Sequence, residues 1–369
     1  MVPCGLLRPK LKTGMQEATE SMKANAQEWS RLLESAGRIK QLAPWQWMQE
    51  DDIFGVTHPE TGEIGFVSVM GALGEHLAVS VYLGASALTR FLALQQAPQG
   101  VLDEHPELLL EIPQLQASFE DRDELEDWDR QLLHYLNLKF RGRKAWPRFQ
   151  SFRPGFMPWR LEPEEIGFLT LALEQLEQVA PRLKEDRSVL SGKAPGTLLI
   201  RSCRAGKRNT GIWKDRYERV PPPEFPPVQL AWDPGDVKKL KCMPAREDIL
   251  EVDFFLFPGA IGQKGERPQA GYILLSLHAP SNLIFGAQTT CVTESIEHMW
   301  GQIPGLLLSR LVEPGLRPRE IHVQSQLLQN VLQPAFKELG TQIVLKPVLK
   351  KLRAAKRELL AHFEKKPVP

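Results

Sequence analysis

Residues 139–160, KFRGRKAWPRFQSFRPGFMPWR, hold seven basic and six aromatic side chains and no acid. Basic groups neutralise phosphates and aromatic rings stack on bases, so the stretch has the composition of a single-strand nucleic-acid surface. Its candidate binding residues are Arg141, Arg143, Trp146, Arg148, Phe152, Arg153, Phe156 and Trp159. A local explanation competes with that one. Residues 98–138 carry eleven acids against two bases, so the basic stretch can be neutralised within the chain. Its rings can equally line a core or groove. Arg153-Pro-Gly-Phe is the most unusual element in it.

A second basic segment closes the sequence: KPVLKKLRAAKRELLAHFEKK has eight bases and two acids at helical spacing. Leu349, Leu352, Leu359 and Leu360 form a partial apolar face, which predicts a packed terminal helix with a solvated basic side. Other chemistry finds no motif. The eight histidines stand singly, without HExxH, and there is no GxSxG elbow, GxGxxG loop or GxxxxGKS-type phosphate loop. Cys4, Cys203, Cys242 and Cys291 are scattered and suit neither a disulfide framework nor a zinc site. The 46 basic and 45 acidic residues cancel, so nucleic acid would have to be met by a local patch. No apolar run reaches the roughly 20 residues of a membrane span, and the N-terminus lacks the apolar run of a signal peptide. A cytoplasmic protein without membrane association is expected.

The elements that must position these residues are readable in outline. Residues 52–71 form two strand-like runs around the turn HPETGE, and 76–84 adds a third strand leading into a helix. A strand ending near Phe119 precedes a helix with Leu125, Trp128, Leu132 and Leu136 on one stripe. After another strand near FQSF, Ile166, Leu169, Leu173, Leu176, Ala180 and Leu183 mark a long helix covering the sheet. Residues 196–204 and 210–220 read as a closing strand pair. Residues 15–40 read as an outer helix within an N-terminal extension, 1–44. PPPEFPP, residues 221–227, breaks the pattern, because consecutive prolines supply no ladder donors. The expected organisation is an α+β domain over 45–220, a proline-rich linker over 221–245 and a second domain over 246–369.

In that second domain three strand-like runs (249–257, 270–280 and 282–290) are followed by helix, strand, helix, strand and helix. IHVQSQLLQNVLQ, residues 321–333, is the later strand running into its helix. This β-β-β-α-β-α-β order, with a strand beginning after Gly340, resembles the α/β ribonuclease H-like fold, integrases included. The resemblance implies carboxylates on the first strand, first helix and fourth strand that gather two magnesium ions. It assigns Asp253 to the first of these positions, Glu294 or Glu297 to the second and Gln324/Ser325 to the third. Neutral oxygens at the third position are poor ligands for a hard cation. The resemblance therefore implies catalytic and metal roles for Asp253 and Glu294 only in a divergent magnesium-dependent nuclease. As a local reading, Asp253 is a solvated strand end and Glu294 complements a helix dipole.

The stretches DIFGVTHPETGEIGFVSVMG, LEIPQLQASFEDR, LKFRG and RPGFMPW also resemble a bacterial family of uncharacterised two-domain proteins, over about residues 45–345. That resemblance implies relatives but no activity. The leading expectation is a non-catalytic binding or accessory protein without cofactor, with nucleic acid or another protein as partner. The nuclease with magnesium is the alternative, and an oligomeric or protein-partner scaffold the second.

Overall fold

A computed structural model describes residues 25–97, 101, 105–192, 194–204, 212–263 and 265–365 of the chain. It is an α+β structure with two sheets of seven and five strands. Cys4 and the part of the expected N-terminal helix before residue 25 lie outside the described residues.

Helix α1, Ala26–Leu42, is not an outer element. Trp29, Leu32, Leu33, Ala36 and Ile39 recur every three or four residues, and all are buried in the first core. The sheet beside it contains β1 (Phe54–Thr57), β2 (Ile64–Met70), β3 (Leu77–Leu83), β4 (Gln114–Glu120) and β5 (Trp146–Phe152), followed by β6 (Thr197–Arg204) and β7 (Ile212–Arg219). Its order is β5-β4-β3-β2-β1-β6-β7. The first five strands are an antiparallel meander, whereas β6 returns parallel to β1, pairing Ile200 with Gly55. Gly55 permits that approach, because a Cβ there would sit 2.4 Å from Cδ1 of Ile200.

Between β3 and β4 lie α2 (Gly84–Gln95) and the one-turn α3 (Glu107–Leu110); α4 (Asp127–Tyr135) precedes β5. Helix α5, Pro163–Glu185, makes the crossover from β5 to β6. It starts with Pro163 in its first turn and a reciprocal cap between Glu162 and Glu165. With α1 it covers the face bearing Val67, Val69, Val79, Val81, Leu115, Ala117 and Phe119, while α2 packs on Phe66, Tyr82 and Ile200 on the other face.

The proline-rich stretch is shorter than expected. Helix α6, Pro234–Lys241, lies inside the expected linker and is capped by Asp233, and its Val237 and Leu240 enter the second core. Just before it, the chain crosses the later helix α7, Ile296–Val312. The Ala231 amide donates to the Gly301 carbonyl at 2.9 Å. A Cβ at Gly301 would meet the Gln229 oxygen at 2.1 Å, so only glycine allows the crossing at that distance.

The second sheet has β8 (Arg246–Ile261), β9 (Gln269–His278), β10 (Leu283–Cys291), β11 (Pro318–Val323) and β12 (Gln342–Leu345). Its order is β10-β9-β8-β11-β12, with β8, β9 and β10 antiparallel and β8, β11 and β12 parallel. Alternation along β8 sends Leu250, Val252 and Phe254 into the core under α7 and α8 (Gln326–Lys337). It sends Glu251, Asp253 and Phe255 to the opposite face, where Leu349 and Leu352, at the start of α9 (Lys350–Lys365), pack on Phe255 and the β9 aliphatics. Among the described residues no helix is long and apolar enough to cross a membrane.

Candidate functional site

The two acids on that face of β8 both serve α9. Glu251 accepts a hydrogen bond from the Leu352 amide in the first turn at 2.8 Å, which satisfies one of the free donors of a helix start. One turn on, Lys356 Nζ lies 3.1 Å from Asp253 Oδ2 and over the Phe255 ring, 4.1 Å from its centroid. Asp253 is buried, not a solvated strand end.

Above this pair lies a cavity of about 350 Å³ whose walls include Asp253, Lys356 and Arg357, with Gln324 from beyond the end of β11 and His105 and Glu107 from the first sheet's side of the molecule. A second cavity of about 680 Å³ shares His105, Glu107, Gln324 and Arg353 with it and is lined further by Glu111, Phe254, Tyr272 and Trp300. Ser325 also borders this second space, but its hydroxyl caps α8 by accepting from the Leu328 amide.

The electrostatics of this cleft follow from burial. His105 Nδ1 is 2.9 Å from Glu107 Oε1, and that hydrogen bond raises the imidazole pKa against the opposing effect of burial. Glu111 is pushed up to about 7, chiefly by burial; Arg90 opposes the shift and the neighbouring carboxylates of Glu107 and Glu297 reinforce it. Arg90 stands between two of these acids, 3.7 Å from Glu111 and 3.5 Å from Glu297, with its guanidinium over the Trp300 ring. Burial, with Glu111 and Glu107 adding to it, also raises the Tyr272 hydroxyl, which therefore stays protonated. Glu107 Oε2 and the Tyr272 hydroxyl are buried with no hydrogen-bond partner among the described residues.

The positions assigned to magnesium do not fit that ion. An ammonium already neutralises Asp253, and Gln324 brings an amide where a carboxylate is required. Glu294 is largely exposed, 3.5 Å from His298, and Glu297 pairs with Arg90; neither is among the walls around Asp253. No group of three or more His, Cys, Asp or Glu among the described residues is arranged to hold a metal ion.

The basic and aromatic stretch is divided among several tasks. Arg148 pairs with Glu126 and lies 3.5 Å from Asp129, both in or beside α4, so the acidic neighbour does neutralise it. Burial lifts Asp129 to about 6. Arg153 takes its acids from α5, at 2.7 Å from Glu162 and 2.9 Å from Glu165. Trp146 sits at the margin of the first core, 5.9 Å from Phe140, and Phe152 is half-buried at the end of β5. Trp159 folds back by bridging to Ser151 and carries Arg160 over its ring. Phe156 bridges to Gln269 of β9, and the Ala270 amide donates to the Gly155 carbonyl, so RPGF docks the two halves together. Arg141 and Arg143 remain exposed, with no acid paired to them among the described residues.

Sequence reasoning passed over His105, Glu107, Glu111 and Tyr272. A signal existed: Glu107 and Glu111 are four apart and so share one face of a helical turn, and Tyr272 interrupts an otherwise aliphatic strand.

With its two sheets and the cleft between them, the molecule is a two-part α+β protein. Residues 29–201 match the profile of a domain of unknown function (DUF7309), and residues 236–360 match that of a second domain of unknown function (DUF6930). Together these matches fit an uncharacterised two-domain family. No curated protein matches the chain. One similar solved structure is the cryoEM structure of the simian T-cell lymphotropic virus intasome in complex with PP2A regulatory subunit B56 gamma, at 14% identity and a TM-score of 0.23. The match covers 54% of this chain and 59% of that one.

Proposed function

We propose that the C-terminal half is a ribonuclease H-like domain that binds nucleic acid and does not cut it. The fold reading is supported by the strand order of the second sheet, three antiparallel strands continued by two parallel ones on the β8 side. The observation that carries the functional reading is the Lys356–Asp253 pair. A lysine ammonium lies where the first-strand carboxylate of a nuclease would bind a cation, and the same lysine anchors α9 across the site. Nucleic acid as ligand is supported by Arg141 and Arg143, and by Lys350 at the start of α9, all exposed.

The test combines binding and cleavage on the full chain. Labelled single- and double-stranded DNA and RNA are titrated at several salt concentrations, then incubated with Mg²⁺ or Mn²⁺. Binding that weakens with salt, with the strands left intact, is the expected result. Absent or salt-insensitive binding removes nucleic acid as the ligand. Metal-dependent cleavage that disappears in Asp253→Asn overturns the binding-only reading in favour of a nuclease.

A further inference from the structure

The larger cavity of the cleft has the chemistry of a site for a small organic ligand. Glu107 is 6% exposed and Tyr272 is 1% exposed, and both line the cavity. Each presents an oxygen without a hydrogen-bond partner among the described residues: Oε2 of Glu107, whose other oxygen is held by His105, and the Tyr272 hydroxyl. Buried polar atoms are rarely left unpaired, because desolvation without a compensating bond is costly. These two call for a ligand edge with an N–H donor for the carboxylate and a group that can accept from, or donate to, a hydroxyl.

The neighbouring walls say what body carries that edge. Phe254 and Tyr272 lie parallel, their centroids 5.2 Å apart and their planes 7° apart, and Trp300 lines the same space. An aromatic lining of this kind suits the apolar body of a ring-bearing ligand. At the other end Arg357, exposed on α9, borders the smaller cavity, which places a positive charge near where an anionic tail would lie.

We propose that this cleft binds a nucleotide, with an N–H-bearing edge of its base on Glu107 and Tyr272 and its phosphate toward Arg357. The inference goes beyond the reading above and requires neither the strand order nor Arg141 and Arg143. The same chemistry is offered by a free nucleotide and by an unstacked base of a strand.

The experiment is calorimetric titration of the full chain with AMP, GMP, CMP, UMP and ribose 5-phosphate, and with a single-stranded oligonucleotide of the best-bound base. At least one of the four nucleotides binds saturably, and ribose 5-phosphate, which lacks the base, binds about tenfold or more weakly. Glu107→Gln and Tyr272→Phe each lower that affinity about tenfold. Tyr272→Phe removes only an unpaired hydroxyl, so its melting temperature is unchanged or higher and the loss reports on the ligand. An oligonucleotide that binds tighter than its mononucleotide, with the same sensitivity to both variants, identifies a strand as the source; equal or weaker binding identifies the free nucleotide. The proposal is overturned if none of the four nucleotides binds, if ribose 5-phosphate binds as tightly as the best of them, or if both variants leave affinity unchanged. The salt-dependent polymer binding described above can succeed or fail independently, since it is read with Arg141 and Arg143.

Discussion

The Lys356 ammonium lies 3.1 Å from the Asp253 carboxylate, and both side chains are mostly buried between α9 and β8. A pair of this kind contributes little relative to an apolar replacement of both members, but breaking it strands a charge in a poorly solvated place.

Lys356→Met should therefore destabilise the chain by about 3 kcal/mol or more, seen as a lower denaturation midpoint, with α9 the first element to lose amide protection from exchange. Replacing both residues, Lys356→Met with Asp253→Leu, should restore most of the loss. A Lys356→Met protein as stable as the parent would show that the pair is solvated in solution.

The RPGF turn makes a second, sharply local prediction. Gly155 has φ +83° and lies against Val292, where a Cβ would come within 2.1 Å of Cγ2. Alanine would be strained by its backbone conformation and would collide with the other half of the molecule. Gly155→Ala should cost about 1–3 kcal/mol and increase proteolysis around residues 153–160. Adding Val292→Ala relieves the collision and should recover part of the loss, leaving the backbone strain.

Stability should fall as pH rises toward neutrality. Glu111, whose ordinary value is 4.5, titrates at about 7 in the folded chain. Between those values the unfolded chain has released this proton and the folded chain keeps it, so the stabilisation present below about pH 4.5 is lost progressively up to about pH 7. The limit for this residue is on the order of 3 kcal/mol. Asp129, raised to about 6, acts in the same sense. His105 is also raised; its contribution is complete below its ordinary value of 6.5 and is lost as pH rises through its higher folded value. Glu111→Gln should shrink the difference in melting temperature between about pH 5 and pH 7.5. An unchanged difference would remove Glu111 as its source.

What the sequence could reveal depended on how local the cause was. The α5 stripe from Ile166 to Leu183 and the β8 to α8 order are set by side-chain periodicity, and the structure has those elements where expected. The parallel return of β6 onto β1 depends on Gly55 making room for Ile200, a contact between residues 145 positions apart that no window contains. Helix α6 was hidden for a different reason: its short apolar pair, Val237 and Leu240, follows a proline run that reads as a linker. On β4, Leu115, Ala117 and Phe119 alternate with Gln114, Gln116, Ser118 and Glu120, the pattern of a strand wet on one side. All seven are buried, because the polar face is covered too: Gln116 donates to Ser80, and Glu120 lies 3.5 Å from Lys144. The candidate site was harder still. Its acids come from α3, its hydroxyl from β9 and its cations from α9, so only the packed molecule brings them together.

The basic stretch separates into residues that hold the fold and residues left for a ligand, and the two groups should respond differently to substitution. Arg148 and Arg153 are committed to Glu126, Asp129, Glu162 and Glu165, so Arg148→Met should lower stability and leave any nucleic-acid affinity nearly unchanged once folding is corrected for. Arg141 and Arg143 carry no such commitment among the described residues. Changing both to glutamate should leave the melting temperature within about 1 °C, because exposed substitutions away from packed features shift stability little. If these two residues meet phosphates, the same change should weaken binding across sequences and reduce the slope of log affinity against log salt by about 2, one unit for each lost contact. An unaltered slope would mean that the polymer contacts another surface, and exposed Lys350 at the start of α9 would be the next to change.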